Sequence, residues 1–170
     1  MSQLLALSIS VAVLGALWAY LALGPLAPYV FVWGGFITAA CFFAAGGDNN
    51  ALVKTLAGII YGAIVGWITL LVIDKVPVPS LGTIWPALVV GFFVFFLVIV
   101  ASVEQLSFVP ANIYGFAMVV AYTLSAGKLA TVTDVGAANP LVLVILSAIA
   151  GVILGYLMGQ LAGALKLKSK

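Results

Sequence analysis

The sequence predicts an all-α membrane protein of six transmembrane helices, arranged as a three-plus-three inverted repeat, and three observations carry that prediction. Hydrophobic residues make up 66% of the chain and charged residues 6%, with a mean hydropathy of +1.37. That leaves too little polar surface to cover a soluble globule of 170 residues. The apolar stretches are long and continuous, whereas the strands of a membrane barrel run about 10 residues with alternating polarity. Finally, the third and sixth stretches carry the same glycine ladder.

A hydrocarbon core of about 30 Å takes roughly 20 helical residues to cross, and six stretches approach that length: Leu4 to Leu23, Ala27 to Ala45, Ala51 to Ile73, Ile84 to Val103, Ser107 to Ala126 and Leu141 to Leu165. Met1-Ser2-Gln3 supplies no positive n-region and Leu23-Gly24-Pro25 is a poor cleavage site, so the first stretch reads as a mature helix and not a signal peptide. The connections are short except for a proline-rich run from Asp74 to Thr83 and a polar one from Gly127 to Pro140. No linker separates soluble units, so residues 1–170 form a single transmembrane domain with repeat halves of about 1–76 and 77–170.

The repeat is most visible in the ladders. Gly58, Gly62 and Gly66 recur every four residues, as do Gly151, Gly155, Gly159 and Gly163. Tyr61-Gly62-Ala63-Ile64-Val65-Gly66-Trp67 aligns without a gap on Ala150-Gly151-Val152-Ile153-Leu154-Gly155-Tyr156. The second and fifth spans add to this. A proline, an aromatic residue, glycine and phenylalanine follow one another in Pro28…Trp33-Gly34-Gly35-Phe36 and in Pro110…Tyr114-Gly115-Phe116, and Phe43-Ala44-Ala45-Gly46 lies opposite Leu124-Ser125-Ala126-Gly127. A repeat that recurs after an odd number of spans inverts the second half, an arrangement typical of transporters and some channels. Glycine ladders also let helix backbones approach where lipid offers no hydrophobic driving force, so all seven ladder glycines are expected to pack helices, within the chain or against a second copy in a homo-oligomer.

Charge and composition exclude several function classes. The formal net charge is +2 and there is no basic cluster beyond Lys166, Lys168 and Lys170, so nucleic-acid binding is unsupported. Cytoplasmic termini place Lys54 and the three tail lysines inside against Lys75 and Lys128 outside, which favours that orientation and makes the tail a topological anchor. The chain has no histidine, no arginine and one cysteine, Cys41, which reads as a small packing residue. The usual nucleophiles, acid/base pairs and metal cages are missing, so no enzyme activity, cofactor or metal is expected.

Candidate functional residues are therefore polar or aromatic groups within or beside the spans. Glu104 is the acid nearest a span, a solvated loop residue at the surface or a coupling or gating group if the backbone dips inward. Pro110 sits among Gln105, Ser107 and Asn112, either in the first turn of the fifth helix with Ser107 as cap or in a broken-helix solute site. Asn112 is costly in hydrocarbon unless paired and should face protein or a water-filled path. Trp18, Tyr20 and Trp85 read as an interfacial belt, and Trp33 and Tyr114 as repeat counterparts on a pathway that also uses Thr38.

Phe42-Phe43-Ala44-Ala45-Gly46-Gly47 followed by Lys54, and above all Leu106-Ser107-Phe108-Val109-Pro110-Ala111 with Gly115 after it, resemble the bacterial inner-membrane proteins grouped as domain-of-unknown-function family 1097. The resemblance covers most of the chain. It implies a multi-pass protein of the bacterial inner membrane and names no substrate or catalytic residue. The expected function is a channel or facilitator for a small neutral or weakly polar solute of the urea, amide, ammonia or polyol class, with Trp33, Thr38, Ser107, Asn112 and Tyr114 lining its path. An ion-coupled transporter using Glu104 and a non-transporting structural or assembly subunit are the alternatives. The lipid bilayer and a small-molecule solute are the expected partners.

Overall fold

Ser2 starts the first helix, α1 (Gln3–Leu23), by accepting a hydrogen bond from the Leu5 N–H at 3.2 Å. In the computed structural model, which describes residues 2–167, five more α-helices follow: α2 (Val32–Ala44), α3 (Asn49–Lys75), α4 (Ile84–Ile99), α5 (Val109–Ser125) and α6 (Pro140–Leu167). Asp48 caps α3 through the Ala51 N–H at 2.7 Å, and Asn139 Oδ1 accepts from the Leu141 N–H at 2.9 Å to open α6. Short 3-10 turns occur in the three connections after α3, and no strand occurs among the described residues.

α2 and α5 end in the same way. After α2 the Gly47 N–H reaches Phe42 O and the Gly46 N–H reaches Phe43 O; after α5 the Lys128 N–H reaches Thr123 O and the Gly127 N–H reaches Leu124 O. Both are Schellman turns, which need a left-handed residue just beyond the helix; Gly46 (φ +117°) and Gly127 (φ +64°) supply it.

α3 and α6 lie against each other at the centre of the bundle. α5 packs along α3 and α2 along α6, while α4 flanks α3 and α1 flanks α6. The α3–α5 contact is backbone on backbone. A Cβ on Gly62 would collide with Asn112 O, and one on Gly115 with Ile59 O. A Cβ on Gly58 would stand 2.6 Å from Ala111 Cβ, and one on Gly66 3.0 Å from Phe116 O. In the α6–α2 contact a Cβ on Gly151 would stand 2.6 Å from Gly35 O, and one on Gly155 2.9 Å from the Phe42 ring. Within the chain the close packing stops there: Gly159 meets only the Phe43 ring edge at 3.9 Å and Gly163 meets nothing within 4 Å, so the last two rungs hold no helix of the same chain.

Antiparallel α1 and α6 bring the start of α1 and the end of α6 to one face. Ser10 Oγ, fully buried, donates to Met158 O at 2.6 Å, and Lys166 Nζ donates to Gln3 Oε1 at 3.4 Å. The rest of the expected lysine anchor, Lys168 and Lys170, lies outside the described residues.

α1, α3, α6 and α4 with its 3-10 extension to Ser102 are long and apolar enough to cross a membrane. α2 has 13 residues and α5 has 17, both short of the roughly 20 that a full crossing takes. The expected second span from Ala27 to Ala45 loses its first turns because Pro25 and Pro28 hold residues 24–31 in non-helical turns. The expected fourth span, Ile84 to Val103, matches a helical stretch that tightens to 3-10 over Val100–Ser102 before Val103 turns extended. Trp18, expected in an interfacial belt, turns into the protein. It is buried against Gly35, and its indole N–H donates to Val32 O at 2.8 Å. In contrast, Leu88, Phe92, Phe95 and Ile99 leave much of α4 uncovered, surface that a bilayer would cover with lipid.

The α3–α5 seam predicts a sharp contrast between two glycines of the same bundle. Gly62→Ala should destabilise the folded protein by about 2 to 3 kcal/mol because the backbones must separate. Gly91→Ala, with nothing within 4 Å of its Cβ position, should stay within about 1 kcal/mol of the parent. Denaturant titration in detergent micelles checks both.

Candidate functional site

α2 and α5 meet along one open groove. Its volume is about 440 Å³, within the range of small-molecule sites, and its lining is almost wholly apolar. Trp33 and Ile37 line it from α2, and Tyr114, Ala117 and Tyr122 from α5. Trp33 is 65% exposed and Tyr114 41% exposed, so both rings are open to an occupant. The two aromatic residues that the sequence pairs as repeat counterparts thus face one space.

One end of the groove is closed by an aromatic contact and a cation. The Phe31 ring, at the start of α2, packs on the Tyr122 ring with centroids 5.2 Å apart. The Schellman turn at Gly127 folds the chain back over the last turn of α5, so that Lys128 Nζ donates to Tyr122 Oη at 2.7 Å and lies 5.1 Å from the centre of that ring. Sequence reasoning missed Lys128 and counted it only for topology. The available signal was a glycine marking a helix end, with a tyrosine in that helix's last turns and a lysine just beyond.

The other candidates lie elsewhere. Asn112 is fully buried, and its Nδ2 donates to Leu97 O at 2.9 Å and Leu106 O at 3.0 Å. These carbonyls flank the broken stretch between α4 and α5, so Asn112 ties the break to α5 and faces protein. Its Oδ1 sits over the backbone of Gly58 and has no hydrogen-bond partner among the described residues. Thr38 is fully buried against Gly151, with its hydroxyl likewise unpaired.

Pro110 occupies the first turn of α5, but Ser107 does not cap it: the N-cap is Phe108, with no side-chain cap bond, and Ser107 Oγ donates to Glu104 O at 2.7 Å. Ser107 and Glu104 are both exposed, at the end of α5 opposite Lys128. The structure therefore brings Trp33 and Tyr114 together and leaves Thr38, Ser107, Asn112 and Glu104 outside the groove. No group of three or more acidic, histidine or cysteine side chains that could hold a metal occurs among the described residues.

Asn112→Leu should cost about 2 to 4 kcal/mol, because two carbonyls lose their donor inside the membrane domain. It should also raise hydrogen exchange in residues 97–108 ahead of the rest of the chain. Exchange measured by mass spectrometry on protein in micelles reads that local opening.

None of the curated proteins and none of the solved structures matches the chain. The model of one family, described as a protein of unknown function (DUF1097), matches residues 8–163, from the second turn of α1 to the last turns of α6. The match takes in both ladders, the break between α4 and α5, the groove and the Lys128 turn, so the chain belongs to the DUF1097 family.

Proposed function

We propose that the chain is a facilitator for a small, weakly polar solute, built from two inverted halves, with the α2–α5 groove as its solute site. The observation that carries this reading is that the two short helices, which occupy corresponding places in the two halves, converge on one groove lined by Trp33 and Tyr114. Short or interrupted helices in corresponding positions of two halves are the strongest pointer to a transporter's binding site.

Inverted halves account for contacts that the alignment alone does not contain. Exchanging the halves turns the α3–α5 seam into the α6–α2 seam and the α3–α4 contact into the α6–α1 contact. In the register that aligns the ladders, Gly66 on α3 meets Val119 and its counterpart Gly155 meets Ala39, one residue past Thr38, which the alignment of Trp33 with Tyr114 sets opposite Val119. Gly58 lies beside Ala111, and its ladder counterpart Ser147 accepts the Phe31 N–H at 2.9 Å, again one residue past the aligned position. Both short helices are preceded by an irregular run and followed by a Schellman glycine, though the prolines precede α2 and lie within the first turn of α5. Six crossings follow if those irregular runs complete the passage of α2 and α5, a use of non-helical backbone that is tolerated where it is packed on protein.

The lining also narrows the solute. An apolar groove walled by aromatic rings fits a solute with an apolar body better than urea, which would leave its amide groups without partners. Cytoplasmic termini and a bacterial inner-membrane location are part of this proposal and rest on the lysine distribution and the family resemblance.

Stopped-flow flux into proteoliposomes tests the reading with formamide, glycerol, ammonia and a short aliphatic amide. Facilitated entry of at least one solute is expected, falling to the rate of protein-free vesicles in Ala117→Trp, which fills the groove from an exposed position. Flux that is undiminished in Ala117→Trp, or absent for every solute with folded protein, overturns the proposal.

A further inference from the structure

Lys128 is a cation bonded to Tyr122, a lining residue of the apolar groove, and among the described residues the only ion pair is Lys75 with Asp74. Its side chain is half-buried and is held by the Tyr122 hydroxyl at 2.7 Å. An ammonium has three donors, one of which Tyr122 Oη takes as acceptor, leaving two. That hydroxyl accepts from Lys128 and keeps its own proton to donate. Three N–H and O–H groups and one positive charge therefore stand together at the groove's end, while the lining next to them includes no acid.

We propose that the groove binds a single-headed amphiphile bearing a carboxylate, the carboxylate pairing with Lys128 and Tyr122 and the apolar body lying on Trp33, Ile37, Tyr114 and Ala117. Charge-assisted hydrogen bonds at a partly buried site are about twice as strong as neutral ones, so the head determines selectivity and the aromatic walls supply apolar contact. A single cation matches a singly charged head. The cavity, about 440 Å³, suits a small molecule between two helices. This deepens the reading of the groove as the solute site, on which it rests, by moving the solute class from neutral to singly anionic.

Equilibrium dialysis of radiolabelled octanoate and octanol against the protein in zwitterionic nanodiscs, with empty discs subtracted, tests the proposal. Octanoate should bind at least about ten-fold more tightly than octanol, Lys128→Gln should bring it to the level of the alcohol, and Ala117→Trp should abolish both. Equal affinity for the two ligands, or octanoate binding unchanged in Lys128→Gln, overturns it. So does phosphatidylglycerol in the disc displacing octanoate while being retained through Lys128, which would make a phospholipid head the occupant. Octanoate bound without any flux would remove the facilitator reading and leave this one standing. Flux of neutral solutes without a preference for the carboxylate would do the reverse.

Discussion

The close approach of α3 to α5 sets the rest of this structure. Lipid tails are as apolar as leucine, so nothing drives helices together in a bilayer except packing, hydrogen bonds and the freedom returned to lipid. Glycine allows that packing to be backbone on backbone. Gly62 faces Asn112 O and Gly115 faces Ile59 O, a reciprocal arrangement suited to weak Cα–H···O contacts. The α6–α2 seam repeats it with Gly151 against Gly35 O. Each ladder helix thus holds a helix from the other half of the chain, which puts α2 and α5 side by side and creates the groove between them.

The second constraint is the cost of backbone polar groups in hydrocarbon. The chain breaks helical structure before both short helices, and side chains from other segments meet the groups so exposed. Ser147 on α6 accepts the Phe31 N–H, and Asn112 donates to the carbonyls of Leu97 and Leu106. Trp67 does the same for the loop after α5, donating to Val132 O at 2.7 Å. These residues are interior polar groups because irregular backbone in a membrane must be packed on protein that can pair with it.

Much of this was legible in the sequence, for definable reasons. Composition fixes the solvent, and the ladders of Gly58, Gly62 and Gly66 and of Gly151 and Gly155 mark the two seams because only glycine fits where backbones touch. The pairing of Trp33 with Tyr114 was also readable, since it needed only alignment. Hydropathy did not reveal the shortness of α2: Leu26, Ala27, Tyr29 and Val30 are as apolar as any helix, and the prolines that unwind them act on backbone geometry. Nor could one sequence show that Asn112 pairs with carbonyls many residues away, that Trp18 turns inward onto Gly35, or that a turn at Gly127 would fold Lys128 onto Tyr122. Those placements depend on tertiary contacts.

Labelling with a membrane-impermeant maleimide tests the inverted architecture most directly. Single cysteines at Asn50, just after the α2–α3 turn, and at Thr133, in the α5–α6 loop, would be introduced into a Cys41→Ala background; both positions are exposed. The account predicts that they react from opposite sides of oriented vesicles, because the two turns that follow the short helices belong to oppositely directed halves. Labelling of both from the same side would contradict it, since α5 would then fail to cross.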